Sequence, residues 1–523
     1  VNFVTPTIDW AALTPIIIVL GAASVGILIE AFVKSPVTRR TVQLGLAVVS
    51  LAAALGVVIA QWATLEGAGT VAMAGMLTVD RQALAWMSIL LVFGILAMLL
   101  FASRDGGGAF TELGASTPGS LEEKLARRAG LAVTEVYPLA LFAVGGMMLF
   151  TCVTDLVFLF VALEVFSLPL YIMVALSRRR RYLSHEAALK YFLLGAFSSA
   201  IFIFGVALVY GATTVTNLDM IGRGVTMIAD ADPILLTGAV MVVVGLMFKI
   251  GAVPFHSWVP DAYQGAPTPL TAFMGAATKA AATAALVRVM FVAFAPLEWE
   301  LSWLIWAVAI ASMLLGTVVA LVQTDIKRML AYSAVAHAGF ILVAFAGLEG
   351  EALTALPFYL LAYGLGTIGA FAVVSQVRER AEDGGVGAEA VRLGQWAGLG
   401  KRSPLLAGSM ALFLLSFAGI PLTAGFIGKF EAFSAAVAGG AWVLVLIAVL
   451  ASAVAAFFYV RLIVLMFFTD APEGAEETIA IEDSALTRTV IYVTAAAILI
   501  LGILPAGVLD LFADASVLLV NAG

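Results

Sequence analysis

Fourteen stretches of this chain are apolar over about the length that crosses a bilayer: 12–33, 41–61, 83–102, 136–151, 153–176, 188–211, 234–253, 268–294, 302–323, 330–347, 352–374, 404–430, 441–468 and 489–511. The pattern predicts an all-α polytopic membrane protein of about 14 transmembrane helices. The fourth and tenth stretches are short, and the eighth has room to begin several residues later. With 63% hydrophobic residues and 12% charged, and a mean hydropathy of +1.09, the chain lies far outside the range of soluble domains. The first stretch does not read as a signal peptide, because no basic segment precedes it and Glu30 stands near its end. The longest polar linkers, about 103–130, 375–403 and 469–487, are too short for a soluble domain.

Basic residues set the orientation. Of 27 Lys and Arg, 19 fall in segments after odd-numbered stretches, among them Lys34, Arg39, Arg40, Arg104, Arg178, Arg179, Arg180, Arg181, Lys327, Arg328 and Arg378. Only Arg81 and Arg223 follow even-numbered stretches. The positive-inside rule then predicts odd segments in the cytoplasm and both termini outside. The formal net charge of −7 comes mostly from acidic loops and points to no nucleic-acid partner.

Six cations remain within stretches. Arg288 and Arg461 lie toward stretch ends, where a long side chain can reach the interface. Lys190, Lys249, Lys279 and Lys429 are set in otherwise apolar surroundings. A mid-span charge costs about 2.5–3.5 kcal/mol, so four cost roughly 10–14 kcal/mol. That is comparable with the whole stability of an ordinary domain. Such residues mark an ion or proton path by default.

Glu164, in FVALEVFSLPLY, is the one carboxylate central to a stretch. A lysine beside it would keep it ionised, and Lys249 is the expected partner; a pair that parts would release a proton. The plain alternative is a static ion pair joining two helices. Lys279 lies in GAATKAAATAALVR, whose small residues allow close helix approach. That packing accounts for the alanines and leaves the lysine unexplained. Lys190, in HEAALKYFLLG, is nearer the cytoplasmic end, so snorkelling and function are even readings. His256 and His337 can bridge the lysines through water; a structural role beside Pro254 is equally open for His256. Asp155 and Asp261 read as mouth or loop residues. The single cysteine, Cys152, and three histidines without metal-ligand spacing leave the chain no means of carrying electrons.

Two stretches look broken. The seventh ends in FKIGAVPFH, with Gly251 and Pro254, and the twelfth contains FAGIPLTAGFIGKF, with Gly419, Pro421 and Gly425. They are five stretches apart, and a repeat with an odd number of crossings must invert its second copy. Inverted repeats with discontinuous helices place ion sites at the breaks. The alternative is that Pro and Gly merely kink these helices.

FKIGAVPFHSWVPDAYQGAPTPLTAFMGAATKAA, TDIKRMLAYSAVAHAGF and GIPLTAGFIGKF resemble the proton-translocating, antiporter-like subunits of respiratory complex I, across nearly the whole chain. The DAYQGAP turn and the lysine in GFIGKF are similar to the subunit N group of that family. The resemblance implies transmembrane helices 1–3 in 1–135, a first five-helix repeat in 136–295, an inverted second repeat in 296–470, and helix 14 in 471–523. It implies a Glu164–Lys249 modulating pair, a central relay at Lys279 and an exit site at Lys429, with Lys190, His256 and His337 along the same axis. It implies a proton-translocating part of NADH:quinone oxidoreductase in the bacterial plasma membrane, beside subunits M and K. NADH, FMN, iron–sulfur clusters and quinone would be handled by other subunits. A multisubunit cation/proton antiporter subunit and a non-pumping structural subunit are the competing readings.

Overall fold

The computed structural model describes residues 8–65, 67–103, 108–111, 120–129, 135–227, 232–380, 386–470, 479–482 and 484–518. Arg104, much of the 103–130 and 469–487 linkers and both termini lie outside the described residues. The helices used below are α1 (Trp10–Phe32), α2 (Pro36–Thr64), α3 (Arg81–Ala102), α4 (Val136–Cys152), α5 (Leu156–Val174), α6 (Arg181–Thr213), α7 (Pro233–Ile250) and α8 (Trp258–Gly265). They continue with α9 (Thr268–Ala293), α10 (Glu298–Leu321), α11 (Ile326–Val343), α12 (Ala352–Gln376), α13 (Pro404–Ala418), α14 (Ala424–Ala438), α15 (Trp442–Phe468) and α16 (Ala485–Ile503).

Among the described residues, 12 helices are long and apolar enough to cross a membrane, and α4 and α13 are shorter apolar helices. Together they account for every stretch read from the sequence. Hydrocarbon offers the backbone no hydrogen bonds, so helix starts are closed by side chains. Asp9, Asp80, Asp155 and Asp325 accept from backbone N–H groups in the first turns of α1, α3, α5 and α11. Ser35 and Asp232 do the same ahead of Pro36 and Pro233. The Asp325 cap carries α11 past its apolar segment, to start at Ile326 rather than at 330. α6 likewise starts before its apolar segment, at Arg181 rather than at 188, without a side-chain cap.

Loops sort into two faces. Leu77 bridges Val153 and Asp155 bridges Asn217 on one face, whereas Phe110 bridges Ser177 and Asp325 bridges Arg392 on the other. These partners follow even and odd stretches respectively, as alternate crossings require. Short strands reinforce both faces. The hairpin β1 (Gly69–Ala72) and β2 (Leu77–Asp80) covers the first. On the second, basic face, β3 (Val377–Arg380) lies between β4 (Val386–Glu389) and β5 (Ile479–Ile481), all antiparallel. The sequence reading held no strands there.

Every residue of α9 through Arg288 is buried, and so are nearly all of α12. These two helices form the centre, with α3, α13, α14 and α16 around α12. The outer helices turn large apolar side chains outward, including Leu28, Phe197, Phe204, Leu450 and Phe457.

Both breaks have one construction. α7 ends at Gly251 (φ +82°) and α13 at Gly419 (φ +81°), a left-handed conformation that favours glycine. In each, the glycine N–H reaches the carbonyls three and four residues back. The next N–H reaches five back: Ala252 to Met247 at 3.1 Å and Ile420 to Leu415 at 3.0 Å. Side chains satisfy backbone that the breaks set free. Ser312 accepts from Val253 N–H at 2.9 Å, and Ser416 from Gly425 N–H at 3.1 Å.

Candidate functional site

The carbonyls at these breaks receive two buried lysines. Lys279, on α9 immediately after a π-helical turn at Met274–Thr278, donates to Ile250 O, the last carbonyl of α7. It also donates to Ala334 O of α11 at 2.9 Å. Lys429, on α14, donates to Phe417 O at 2.8 Å and Ala418 O at 3.2 Å, the last carbonyls of α13. Its third partner is Ser452 Oγ of α15 at 2.7 Å. The negative end of a helix dipole attracts a cation, and in hydrocarbon little screens it. Each lysine thus occupies the C-terminal mouth of a half-helix.

Between them lies a polar bridge. His337 is buried on α11, its Nδ1 2.7 Å from the Tyr359 hydroxyl and its Nε2 3.4 Å from that of Tyr459. Tyr459 in turn meets Ser333, the residue before Ala334. The His337 ring also lies 5.6 Å from that of Phe417, whose carbonyl holds Lys429. A cavity of about 10 Å³ opens beside Ser333, Tyr363, Thr367 and Phe417, room for about one water. A nearly continuous run of polar groups therefore joins Ile250 O to Ser452.

Toward the first repeat the arrangement departs from expectation. Lys249 is 1% exposed, but it makes no ion pair with Glu164. It donates to the Tyr171 hydroxyl at 3.0 Å and lies among aromatic rings. Glu164, half-buried on α5, instead accepts from Ser199 Oγ of α6 at 2.5 Å. Lys249 lies just before the break and Glu164 mid-helix, as read; the expected contact between them is absent, and Tyr171, two turns along α5 from Glu164, takes the lysine.

Lys190 is not a core lysine. Its side chain is 45% exposed and pairs with Glu186 at 2.7 Å and Asp261 at 2.9 Å. Asp261 also holds Arg328 at 3.0 Å, so α6, α8 and α11 meet in one charged cluster at the basic face. His256 lies in the α7–α8 connection, its ring 6.5 Å from that of Tyr332. Its Nδ1 is buried and makes no hydrogen bond among the described residues.

Arg288, by contrast, does not snorkel. Fully buried, it pairs with the equally buried Asp80 at 2.7 Å and donates to Thr151 O at 2.9 Å. The tyrosines at 171, 359 and 459, with Ser333 and Ser452, escaped the sequence reading, since hydroxyl side chains are ordinary in membrane helices. The one available signal was spacing: Tyr171 stands two helical turns from Glu164.

Comparison with known proteins gives the family and the fold. Residues 153–455 match the family model described as NADH:quinone oxidoreductase/Mrp antiporter, transmembrane. NADH-quinone oxidoreductase subunit N of Beutenbergia cavernae is 53% identical, covering 98% of this chain and 99% of that protein. A chain of respiratory complex I from Thermus thermophilus, solved with bound aureothin, superimposes with TM-score 0.74 at 32% identity, covering 96% of this chain and 100% of that one. A chain of the Mrp complex from Dietzia gives TM-score 0.79 at 21% identity over 97% of each chain, a likeness of fold alone. The chain belongs to the NADH:quinone oxidoreductase/Mrp antiporter transmembrane family, within its subunit N group.

Proposed function

We propose that this chain, as the N subunit in the membrane arm of NADH:quinone oxidoreductase, moves protons across the membrane through Glu164, Lys249, Lys279 and Lys429. The supporting observation is the parallel seating of Lys279 and Lys429 on the broken ends of α7 and α13, with His337, Tyr459 and Ser333 between them. Protons enter at the basic, cytoplasmic face near Lys190 and Asp261, and leave beyond Lys429 toward the opposite face. His256 lines the route at the first break.

The driving force is electrostatic. A redox step elsewhere in the complex alters the field at one end of the subunit and shifts Lys249 between partners. At an effective dielectric near 20, two ammonium groups about 8 Å apart repel by roughly 2 kcal/mol, enough to push a proton onward. Large helix movements are unnecessary. The units 136–295 and 296–470 act as inverted copies, a reading supported by the matching hydrogen bonds at Gly251 and Gly419. Subunits M and K flank the chain, and flavin, iron–sulfur and quinone chemistry belongs to other subunits.

The test is NADH-driven proton uptake per quinone reduced in inverted membrane vesicles, comparing wild type with Lys249→Ala. Loss of most proton uptake, with the complex intact on native gels, is expected. Unchanged rate and stoichiometry would remove Lys249 from the path.

A further inference from the structure

Resting on the reading of Lys249 as a proton carrier, we propose that Phe166, Tyr171, Tyr191 and Phe248 form an aromatic cage that is a second seat for the Lys249 ammonium. It alternates with the Glu164 carboxylate, and Tyr171 is its positioning residue. Lys249 Nζ lies 5.0 Å from the Tyr171 ring centre, 5.6 Å from those of Phe166 and Tyr191, and 5.9 Å from that of Phe248. Four rings within cation–π range of one buried ammonium, plus a hydroxyl at 3.0 Å, amount to a binding site for a cation.

The cage is held from several directions. Tyr191 meets Tyr171 edge-on at 4.6 Å and stacks on Trp258 of α8 at 4.6 Å. Trp258 Nε1 donates to Phe248 O at 3.0 Å, tying the cage across the α7 break. On α6, a Cβ at Gly195 would overlap the Tyr171 hydroxyl. Space-filling explains the rings, but not the glycine that admits this hydroxyl to Nζ. The Tyr191 hydroxyl is buried and makes no hydrogen bond among the described residues, so it too can receive a moving ammonium.

Glu164 and Tyr171 share a face of α5, seven residues and so roughly 10 Å apart. The flexible stem of Lys249 can carry Nζ between them. With Glu164 engaged by Ser199, the lysine rests in the cage. A desolvated ring–ammonium contact shifts a two-site equilibrium by roughly 30-fold, which sets how readily the lysine returns to the carboxylate.

The experiment uses the assembled complex in inverted vesicles, with Lys249→Ala, Tyr171→Phe and Tyr171→Leu. Three quantities are read: coupled NADH:quinone turnover, protons per NADH, and NADH oxidation with ferricyanide, which reports redox integrity. Lys249→Ala and Tyr171→Leu should each lower coupled turnover at least fivefold with the ferricyanide rate unchanged, while Tyr171→Phe keeps more than half. Full activity in Tyr171→Leu beside an impaired Lys249→Ala overturns the cage and spares the lysine. Full activity in Lys249→Ala overturns the reading beneath it. Equal damage in Tyr171→Phe and Tyr171→Leu overturns the cage in favour of a hydrogen bond alone. Should Tyr171→Leu fail to assemble, Tyr191→Leu carries the same expectation and the same refutation.

Discussion

Replacing Arg288 by leucine should destabilise the chain more than any single change at its surface, and a second replacement should recover most of the loss. The pair it forms with Asp80 is 2.7 Å long, with side chains 2% and 0% exposed. Removing one partner leaves the other charge buried and uncompensated, at a cost of about 3–5 kcal/mol. Asp80→Asn strands Arg288 in the same way, although asparagine still caps α3 as Asp80 does through Ala83 N–H. In Asp80→Asn/Arg288→Leu neither charge remains. What is lost then is mainly the Arg288 bond to Thr151 O, worth about 1 kcal/mol. Thermal unfolding of the detergent-solubilised complex, followed by loss of this subunit from the native-gel band, measures all three. The double variant should lie closer to wild type than either single one. Additive losses would show that the two charges do not stabilise one another.

Further outcomes follow from other contacts. Ser452→Ala removes a hydroxyl that accepts from Lys429 and donates to Ala418 O; a bond to a charged group is worth about 1.5–3 kcal/mol, so coupled turnover should fall about tenfold with assembly intact. Gly425→Ala drives a Cβ into the Ser416 carbonyl, whereas one at Gly408 meets nothing within 4 Å; unfolding temperature should drop for the first and hold or rise slightly for the second. At the basic face, burial pushes the Glu389 carboxyl up, but Lys327, Arg378, the Thr268 hydroxyl and Arg180 together hold it below its ordinary value. A lowered folded value means stability that is complete above the ordinary carboxylate range and disappears as pH falls through the lowered one. Wild type should therefore unfold at a higher temperature than Glu389→Gln at pH 6 to 7, and the gap should close only in acid; a gap closing between pH 7 and 6 contradicts the assignment.

Buried lysines are legible in a sequence because an ammonium in hydrocarbon has no bland explanation, and the structure seats Lys249, Lys279 and Lys429 in the interior. The breaks were legible for a related reason: Gly251 and Gly419 adopt a backbone conformation that other residues avoid. What stayed hidden depends on side-chain reach. Whether Lys249 touches Glu164 or Tyr171 is set by rotamers and by room at Gly195, which no spacing rule encodes. Arg288 is buried against the snorkelling expected of it, whereas Lys190 takes the exposed one of its two readings, since exposure depends on which helices lie alongside. Asp80, the cap of α3 and the partner of Arg288, drew no attention in the sequence because it precedes its apolar stretch. The three-stranded sheet joins short segments far apart in sequence, each with too few residues for a period to show.

Lys279 is where the account is most exposed, because it bonds both the last carbonyl of α7 at the first break and α11, the helix that carries His337. The decisive measurement is the number of protons moved per NADH by purified complex in sealed liposomes, wild type against Lys279→Ala. Loss of most coupled turnover, or fewer protons per NADH, in a complex of normal composition and ferricyanide activity is the predicted result. The same turnover and the same proton count would mean that protons do not cross this chain by way of its lysines.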